Sequence, residues 1–397
     1  MLSIRDPIHG FVRADALESA LVNSRPLQRL RYIRQLGPTY LIFPGAEHSR
    51  FSHVLGTMHL AGRVYDALAS RSGGLLPVSP SCRERRLVRA AALLHDVGHA
   101  PMSHTAEDLF DDGIDHEEMT RRLLATPELE EIFAREGSGV DAESVIRVLE
   151  QSGDRRERLL SEIVSSELDV DKMDYLLRDS LYCGVRYGSY DLERLIDTLT
   201  PIEDPLDGDW HLGVDHGGVH ALEALVMARY YMFTQVYFNV TGKVMELHFN
   251  QWLRDEGRRW PAAPEAFLAH DDVSTLSAMR RSPNRHARAI VHRERFPLAY
   301  ETGEHLTEEE RRRFEGILPH LVERFGRENL LVDHSAKDPH RLGEQRVLVR
   351  RYDGSLLPMA EASDFISHMS RIASYRVYAP PALTAEVTAE IRRRWEG

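Results

Sequence analysis

The stretch that most constrains this chain is Leu93–His104, LLHDVGHAPMSH. Upstream of it Leu87, Ala91, Leu94 and Gly98 recur at helical spacing, which predicts a buried helix. Gly98 and Pro101 mark where that helix frays and stops. Burying one unpaired polar group costs roughly 2–7 kcal/mol, and a charge costs more. His95 and Asp96, carried on such a helix, therefore need compensation. Imidazole and carboxylate together suit a divalent cation.

The remaining chain is read around that helix. An irregular Asp6–Gly10 segment precedes a helical pattern at Ala16–Val22. Pro26 opens a second helix, PLQRLRYIRQLG, with Leu27, Leu30, Ile33 and Leu36 as its apolar side. Its arginines Arg29, Arg31 and Arg34 face elsewhere, toward solvent or an anion. A helix follows from about Ser49 to Ala69, with His53 near its start. Beyond the central helix, Asp115 is an N-cap for DHEEMTRRLL, which carries His116. Residues 128–168 read as further helices with exposed charge, and LDVDKMDYLLRDSLYCG as another. Asp169, Asp171 and Asp174 are too many aspartates for an ordinary core-facing helix.

Trp210–Val214 reads as a hairpin strand feeding one long aromatic-rich helix, Val219–Asp255. Composition shifts over 256–285, which marks a boundary between a core domain, 1–255, and a small α+β part, 286–397. In that part Leu330–Val332, Arg346–Arg351, Leu356–Met359 and Arg376–Tyr378 read as strands, with a helix at Ala362–Ile372. The fold class expected is mostly α: a helical bundle with a small α+β C-terminal subdomain.

Length and composition narrow the function. At 397 residues, 42% hydrophobic and 28% charged, the chain has the balance of a soluble protein with a large core. A net charge of −12 disfavours non-specific nucleic-acid binding, while a local basic funnel stays open. Cys82 and Cys183 make no disulfide framework and read as buried thiols. No apolar run approaches the ~18 residues of a membrane span and no signal segment opens the chain, so a cytoplasmic location is expected.

Metal-type ligands come from separated pieces: His53, His95 with Asp96, and Asp171. Two imidazoles and two carboxylates suit Mn, Mg, Fe, Ni or Zn alike. His99, His104 and His116 remain nearby for proton transfer near neutral pH. Arg50 and Lys172 bring positive charge beside the metal. A metal, fixed cations and a proton donor are the equipment for phosphoester hydrolysis.

In order, RDPIHG (5–10), QRLRYIRQLG (28–37), FPGAEHSRFSHVLG (43–56), LLHDVGHAPMSH (93–104), DHEE (115–118) and DVDKMDYLLRD (169–179) resemble the HD-domain metal phosphohydrolases. Within them the pattern is similar to the deoxynucleoside-triphosphate triphosphohydrolases related to the sterile-alpha-motif/HD-domain protein. No sterile-alpha-motif domain is expected ahead of residue 1. The resemblance spans roughly residues 4–255, and the C-terminal third matches bacterial members only loosely.

The resemblance implies an HD helical bundle and a role for each matching residue. His53, His95, Asp96 and Asp171 would hold the metal. His116 would donate a proton to the leaving 5′-oxygen, supported by Glu117 and His104, with His99 on phosphate. Arg50 and Lys172 would bind phosphate oxygens, and Tyr175 would lie against the sugar and exclude a 2′-hydroxyl. Asp179 and Gln35, beside Leu36, would bind the 3′-hydroxyl, with Arg229 and Tyr237 closing the pocket. The implied reaction is attack of metal-activated water on the α-phosphorus of a dNTP, giving deoxynucleoside and inorganic triphosphate. A homo-oligomer, dimer or tetramer, is also implied, as is a nucleotide activator bound near Arg29 and Arg31. There Asn23 stands where regulated members have a guanine-reading aspartate.

One departure bears on the substrate. After the tyrosine matching Tyr237 the family commonly has a His-Lys pair reaching the phosphates; here the chain reads Phe238-Asn239-Val240, with Lys243 the nearest lysine. Two other readings follow from these residues: an HD phosphohydrolase acting on another nucleotide or phosphomonoester, and a nucleotide sensor that binds without turnover.

Overall fold

The computed structural model of the chain describes residues 2–136, 139–338 and 347–395, without the side chains of His104, Glu107 and Asp108. It is mostly helical, as expected, with small sheets at its periphery. No described helix is long and apolar enough to cross a membrane.

The centre is made by the helices Arg50–Arg71, Arg83–Leu94 and Val170–Cys183. The first two pack through Val54, Met58, Ala61, Leu87, Ala91 and Leu94, all buried. Gly56 lets the third come close: a Cβ there would lie 1.9 Å from Asp174 Oδ1 and 2.5 Å from an Arg178 guanidinium nitrogen. The helices Ala142–Leu149 and Arg155–Val164, capped by Asp141 and Asp154, pack on this centre, and Pro127–Arg135 packs on Ala16–Val22 and Ala142–Leu149.

Several expected elements take a different form. The irregular Asp6–Gly10 segment is the turn of an antiparallel hairpin, Leu2–Asp6 with Gly10–Ala14, closed by Asp6 Oδ1 accepting from the amides of Ile8 and His9. The helix expected from Pro26 to Gly37 stops at Arg29, and after one 3₁₀ turn Ile33 is extended. Extended backbone lets residues 33–35 bond to 48–50: Arg50 N donates to Ile33 O at 2.9 Å and Gln35 N to His48 O at 3.0 Å. The central helix ends at Leu94, so His95 to His99 lie in tight turns rather than in the helix.

The single helix expected over Val219–Asp255 is broken. Val219–Met232 runs into a π-type turn, Phe233–Tyr237, and Val240–Asp255 starts afresh. Asn239 causes the restart by accepting from the amides of Thr241 and Gly242 at 3.0 and 3.2 Å.

Residues 256–285 are sewn onto the core. Trp260 exchanges backbone bonds with Leu109 and Asp111, and Asp272 is buried beside residues 34 and 102. Strands Leu199–Glu203 and Trp210–Asp215 continue into Leu348–Arg350 and Leu356–Pro358, so one four-stranded sheet joins early and late chain. Of the strand expected at Arg346–Arg351, Arg346 lies outside the described residues. The helix expected at Ala362–Ile372 is two single turns, Met359–Ala362 and Asp364–Ser367, and Ile372 already opens a strand. That strand, Ile372–Tyr378, is central in a three-stranded antiparallel sheet between Leu298–Glu301 and Leu331–Lys337. Phe314, Leu321, Val377, Val387 and Ile391 form the small core behind it. Cys82 and Cys183 are free and half-buried rather than buried.

Candidate metal and phosphate site

Four side chains from three elements converge. His53 sits one turn into the Arg50–Arg71 helix, His95 and Asp96 follow the Arg83–Leu94 helix, and Asp171 lies in the first turn of Val170–Cys183. His53 Nε2 is 3.0 Å from Asp171 Oδ1 and 3.8 Å from Asp96 Oδ2. His95 Nε2 is 3.3 Å from Asp96 Oδ1 and 3.7 Å from Asp171 Oδ1. Donors about 2.1 Å from one cation stand about 3 Å apart when adjacent, so this spacing fits a divalent metal.

The tautomers fit as well. His95 Nδ1 donates to Ala92 O at 2.8 Å, and His53 Nδ1 donates to Asp174 Oδ2 at 2.8 Å. In the neutral imidazoles both Nε2 lone pairs therefore face the cluster. His95 Nε2 is buried with no hydrogen-bond partner among the described residues. Burial disfavours the His53 imidazolium, but Asp171 and Asp174 outweigh it and hold that group up at about 10. The same imidazoles hold Asp171 well below the ordinary carboxylate range despite its burial. So strong a preference for positive charge is what a cation would satisfy.

The sequence marks Asp174 only as one of three aspartates on its helix. It is fully buried and bonded to His53, to His9 Nε2 at 2.6 Å, and to Arg178 through two contacts of 2.8 Å. Arg178 continues to Asp6 at 2.9 Å. The signal was present: Gly56 follows His53 by one helical turn, and Asp171, Asp174 and Arg178 share one helix face.

Around the cluster lie two chambers that share Gln35, Arg50, Asp171 and Tyr175. The first, about 450 Å³, also holds His95, Asp96, His99 and His116. His99 Nε2 is 3.1 Å from Asp96 Oδ1, and its ring stacks on His116 at 4.2 Å. Gly98 permits this, because a Cβ there would meet His116 O at 2.1 Å. Glu117 is exposed at the rim of this chamber. The side chain of His104 lies outside the described residues.

The second chamber, about 520 Å³, gathers Leu36, Lys172, Asp179, Arg229 and Tyr237 with Phe233, Phe238 and Lys243. Tyr237 donates to Asp179 Oδ2 at 2.7 Å, and His48 holds Oδ1 at 2.7 Å. Lys172 Nζ bonds Asp169 at 2.7 Å and Ser166 O at 2.6 Å. Arg50 is buried between Asp96 and Ser103 Oγ, and Arg229 bonds Glu167 at 3.0 Å. Three buried atoms of this lining, Gln35 Oε1, Arg50 Nε and Arg229 Nε, have no hydrogen-bond partner among the described residues. Two unused guanidinium donors and one acceptor are matched by a polar, anionic ligand.

The residues assigned to an activator site are not gathered. Arg29 is buried, its guanidinium on His270 O at 2.7 Å and His99 O at 2.9 Å. Arg31 is exposed and lies over the Phe51 ring, and Asn23 is exposed with its amide on Ser19 O. A second His/carboxylate group, Asp204, Asp207 and His211, differs from the cluster in being partnered: Glu162 at 2.6 Å and Asp207 at 3.0 Å hold the His211 imidazolium up at about 9.

Asp272 supports the wall from behind, accepting from Arg34 N at 2.9 Å and Met102 N at 2.8 Å. Met102 and Ser103 both have positive φ, 61° and 60°, so this carboxylate holds strained backbone beside Gln35 and Arg50. Asp272→Ala leaves two buried amides unpaired, each worth about 1–3 kcal/mol. Urea unfolding should show a loss of about 2–4 kcal/mol.

Comparisons with known proteins place the chain in a family. Residues 50–179 match the HD domain model and residues 190–394 the HD associated region. The uncharacterized protein YwfO of Bacillus subtilis (strain 168) is 38% identical over 273 residues, 67% of this chain and 59% of YwfO. Deoxynucleoside triphosphate triphosphohydrolase SAMHD1 of Gallus gallus is 34% identical over 226 residues, 49% of this chain and 36% of that protein. The chain thus spans less than two thirds of the length of these curated relatives. A hypothetical protein from Aquifex aeolicus superposes with a TM-score of 0.84 at 31% identity, covering 98% of this chain and 99% of that one. His53, His95, Asp96 and Asp171 all fall within the matched HD segment, and the chain belongs to the family of HD-domain proteins that carry the HD associated region.

Proposed function

We propose that the chain hydrolyses deoxynucleoside triphosphates to deoxynucleoside and inorganic triphosphate. The observation that carries the reading is the ring of unmatched buried atoms, His95 Nε2, Arg50 Nε, Arg229 Nε and Gln35 Oε1, around one His/Asp cluster. Such a ring suits a cation and a phosphate together. The likeness to SAMHD1, named a deoxynucleoside triphosphate triphosphohydrolase, supports the substrate.

His53, His95, Asp96 and Asp171 would hold the divalent ion, which when bound supplies Lewis acidity toward a phosphoryl oxygen and toward water. Arg50 and Lys172 take phosphate oxygens, and Arg229 adds a third cation to the chamber. His116 hands its proton to the leaving 5′-oxygen, its ring orientation limited by stacking on His99. Tyr175 and Tyr237 flank the sugar, and Asp179 with Gln35 takes the 3′-hydroxyl. Leu36 lies in the same wall.

Product analysis with the four dNTPs and Mn²⁺ or Mg²⁺ tests this. Deoxynucleoside and triphosphate should appear one to one, and His116→Ala should lower kcat by about 10²–10⁴ without changing metal content. Orthophosphate or pyrophosphate as the product contradicts the reading. Phe238 and Asn239, uncharged where the family commonly has His-Lys, favour a second reading in which a shorter phosphate chain is taken. Mono- and diphosphates in the same panel separate the two.

A further inference from the structure

The second chamber has a wall that the first does not share, and part of it comes from the C-terminal subdomain. Ala336 and Lys337 line it beside Phe238, Lys243 and Glu246. Lys337 ends the strand Leu331–Lys337, which pairs residue by residue with Ile372–Tyr378, Lys337 opposite Ile372. That sheet is fastened to the core domain: Leu331, Tyr378 and Phe296 bury against Val244, and Tyr378 Oη donates to Val240 O at 2.8 Å. The strand end is therefore placed by regular pairing on a packed sheet.

Lys337 Nζ stands 5.3 Å from the centroid of the Phe233 ring, and the Arg229 guanidinium stands 5.8 Å from the same ring. Phe233 lies on the π-type turn that interrupts the helix, so the break brings one aromatic ring beside both a core-domain cation and a C-terminal one. Lys243, ion-paired with Glu246 at 2.7 Å and 5.7 Å from the Phe238 ring, completes this end of the chamber, where Glu246 is the acidic member and Lys243 and Lys337 the basic ones. Arg50 lines both chambers, whereas Lys172, Lys243 and Lys337 line only the second. A polyanion reacting at the cluster has a second set of cations to reach.

We infer that Lys337 binds the distal phosphates of the substrate and so sets the phosphate chain length, with the C-terminal subdomain acting as the gauge. The inference rests on the phosphohydrolase reading of the same site. It gives the chamber a cation that Phe238 and Asn239 do not supply.

The test compares full-length wild type, Lys337→Gln and Lys337→Arg, each loaded with Mn²⁺. Steady-state kinetics are run on the tri-, di- and monophosphate of one deoxynucleoside. Lys337→Gln should raise KM for the triphosphate by about tenfold or more, the loss expected for one charge-assisted contact. It should leave kcat within about twofold and KM for the monophosphate unchanged, and Lys337→Arg should recover most of the loss. Calorimetric binding of inorganic triphosphate should weaken in parallel. An unchanged triphosphate KM, or an equal change at all three lengths, overturns the inference. Because triphosphate binding needs no turnover, it decides the role of Lys337 even if no nucleotide is hydrolysed, a result that would instead end the proposed function.

Discussion

Asp171→Ala is expected to lower turnover by at least about a thousandfold, roughly 4 kcal/mol of transition-state stabilisation, while the chain stays folded. Asp171 is half-buried in the first turn of its helix, and its ion-pair partners among the described residues are His53 Nε2 and His95 Nε2. Neither imidazole depends on it for orientation, because Asp174 and Ala92 O hold their other nitrogens. Removing it therefore takes away charge at the metal position without loosening the core. Steady-state kinetics, metal content by mass spectrometry and far-ultraviolet circular dichroism together check this. Full activity in a folded, metal-poor variant would contradict it.

Asp174→Ala should act in the opposite proportion. This carboxylate never faces the chambers, yet it is bonded to His9, His53 and Arg178 at the centre of the helix packing. Its removal leaves the buried Arg178 guanidinium with Asp6 as its remaining ion-pair partner among the described residues. Breaking a buried ion pair costs about 3–5 kcal/mol, a large fraction of the stability of most domains. Freed from Asp174, His53 loses its fixed tautomer, and metal affinity should fall about 10- to 100-fold. Urea unfolding and a Mn²⁺ titration read the two effects separately. Asp174→Asn, similar in shape, should recover part of the stability and part of the affinity: its amide oxygen can accept from His53 Nδ1 and Arg178 Nε as Oδ2 does, but its NH₂ then meets His9 and the second Arg178 nitrogen, and the negative charge is gone.

The grouping of His53, His95, Asp96 and Asp171 was legible in the sequence because these residue types are costly to bury and they sit on, or just after, three separate helices. The supporting layer was less legible. Asp174 looked like one of three aspartates on an acidic helix, and only the close approach at Gly56 shows that its face turns inward. Arg29 read as a solvated or anion-binding arginine, whereas its guanidinium holds the backbone carbonyl of His99. The helix over 219–255 read as continuous because its apolar period runs through the break. Asn239, a weak helix former that caps well, decides otherwise. Residues 256–285 looked like a boundary from their arginines and prolines, yet Trp260, Phe267 and Asp272 are buried there. Long-range partners decide such cases, and local spacing does not carry them.

The central claim is that one divalent cation sits among His53, His95, Asp96 and Asp171. Anomalous diffraction from crystals grown with Mn²⁺ tests it most directly. The account predicts one strong peak per chain, about 2.1–2.3 Å from both Nε2 atoms and from an oxygen of each aspartate. Absence of a peak there at saturating Mn²⁺, with His53 and Asp171 closed directly onto each other, would contradict it.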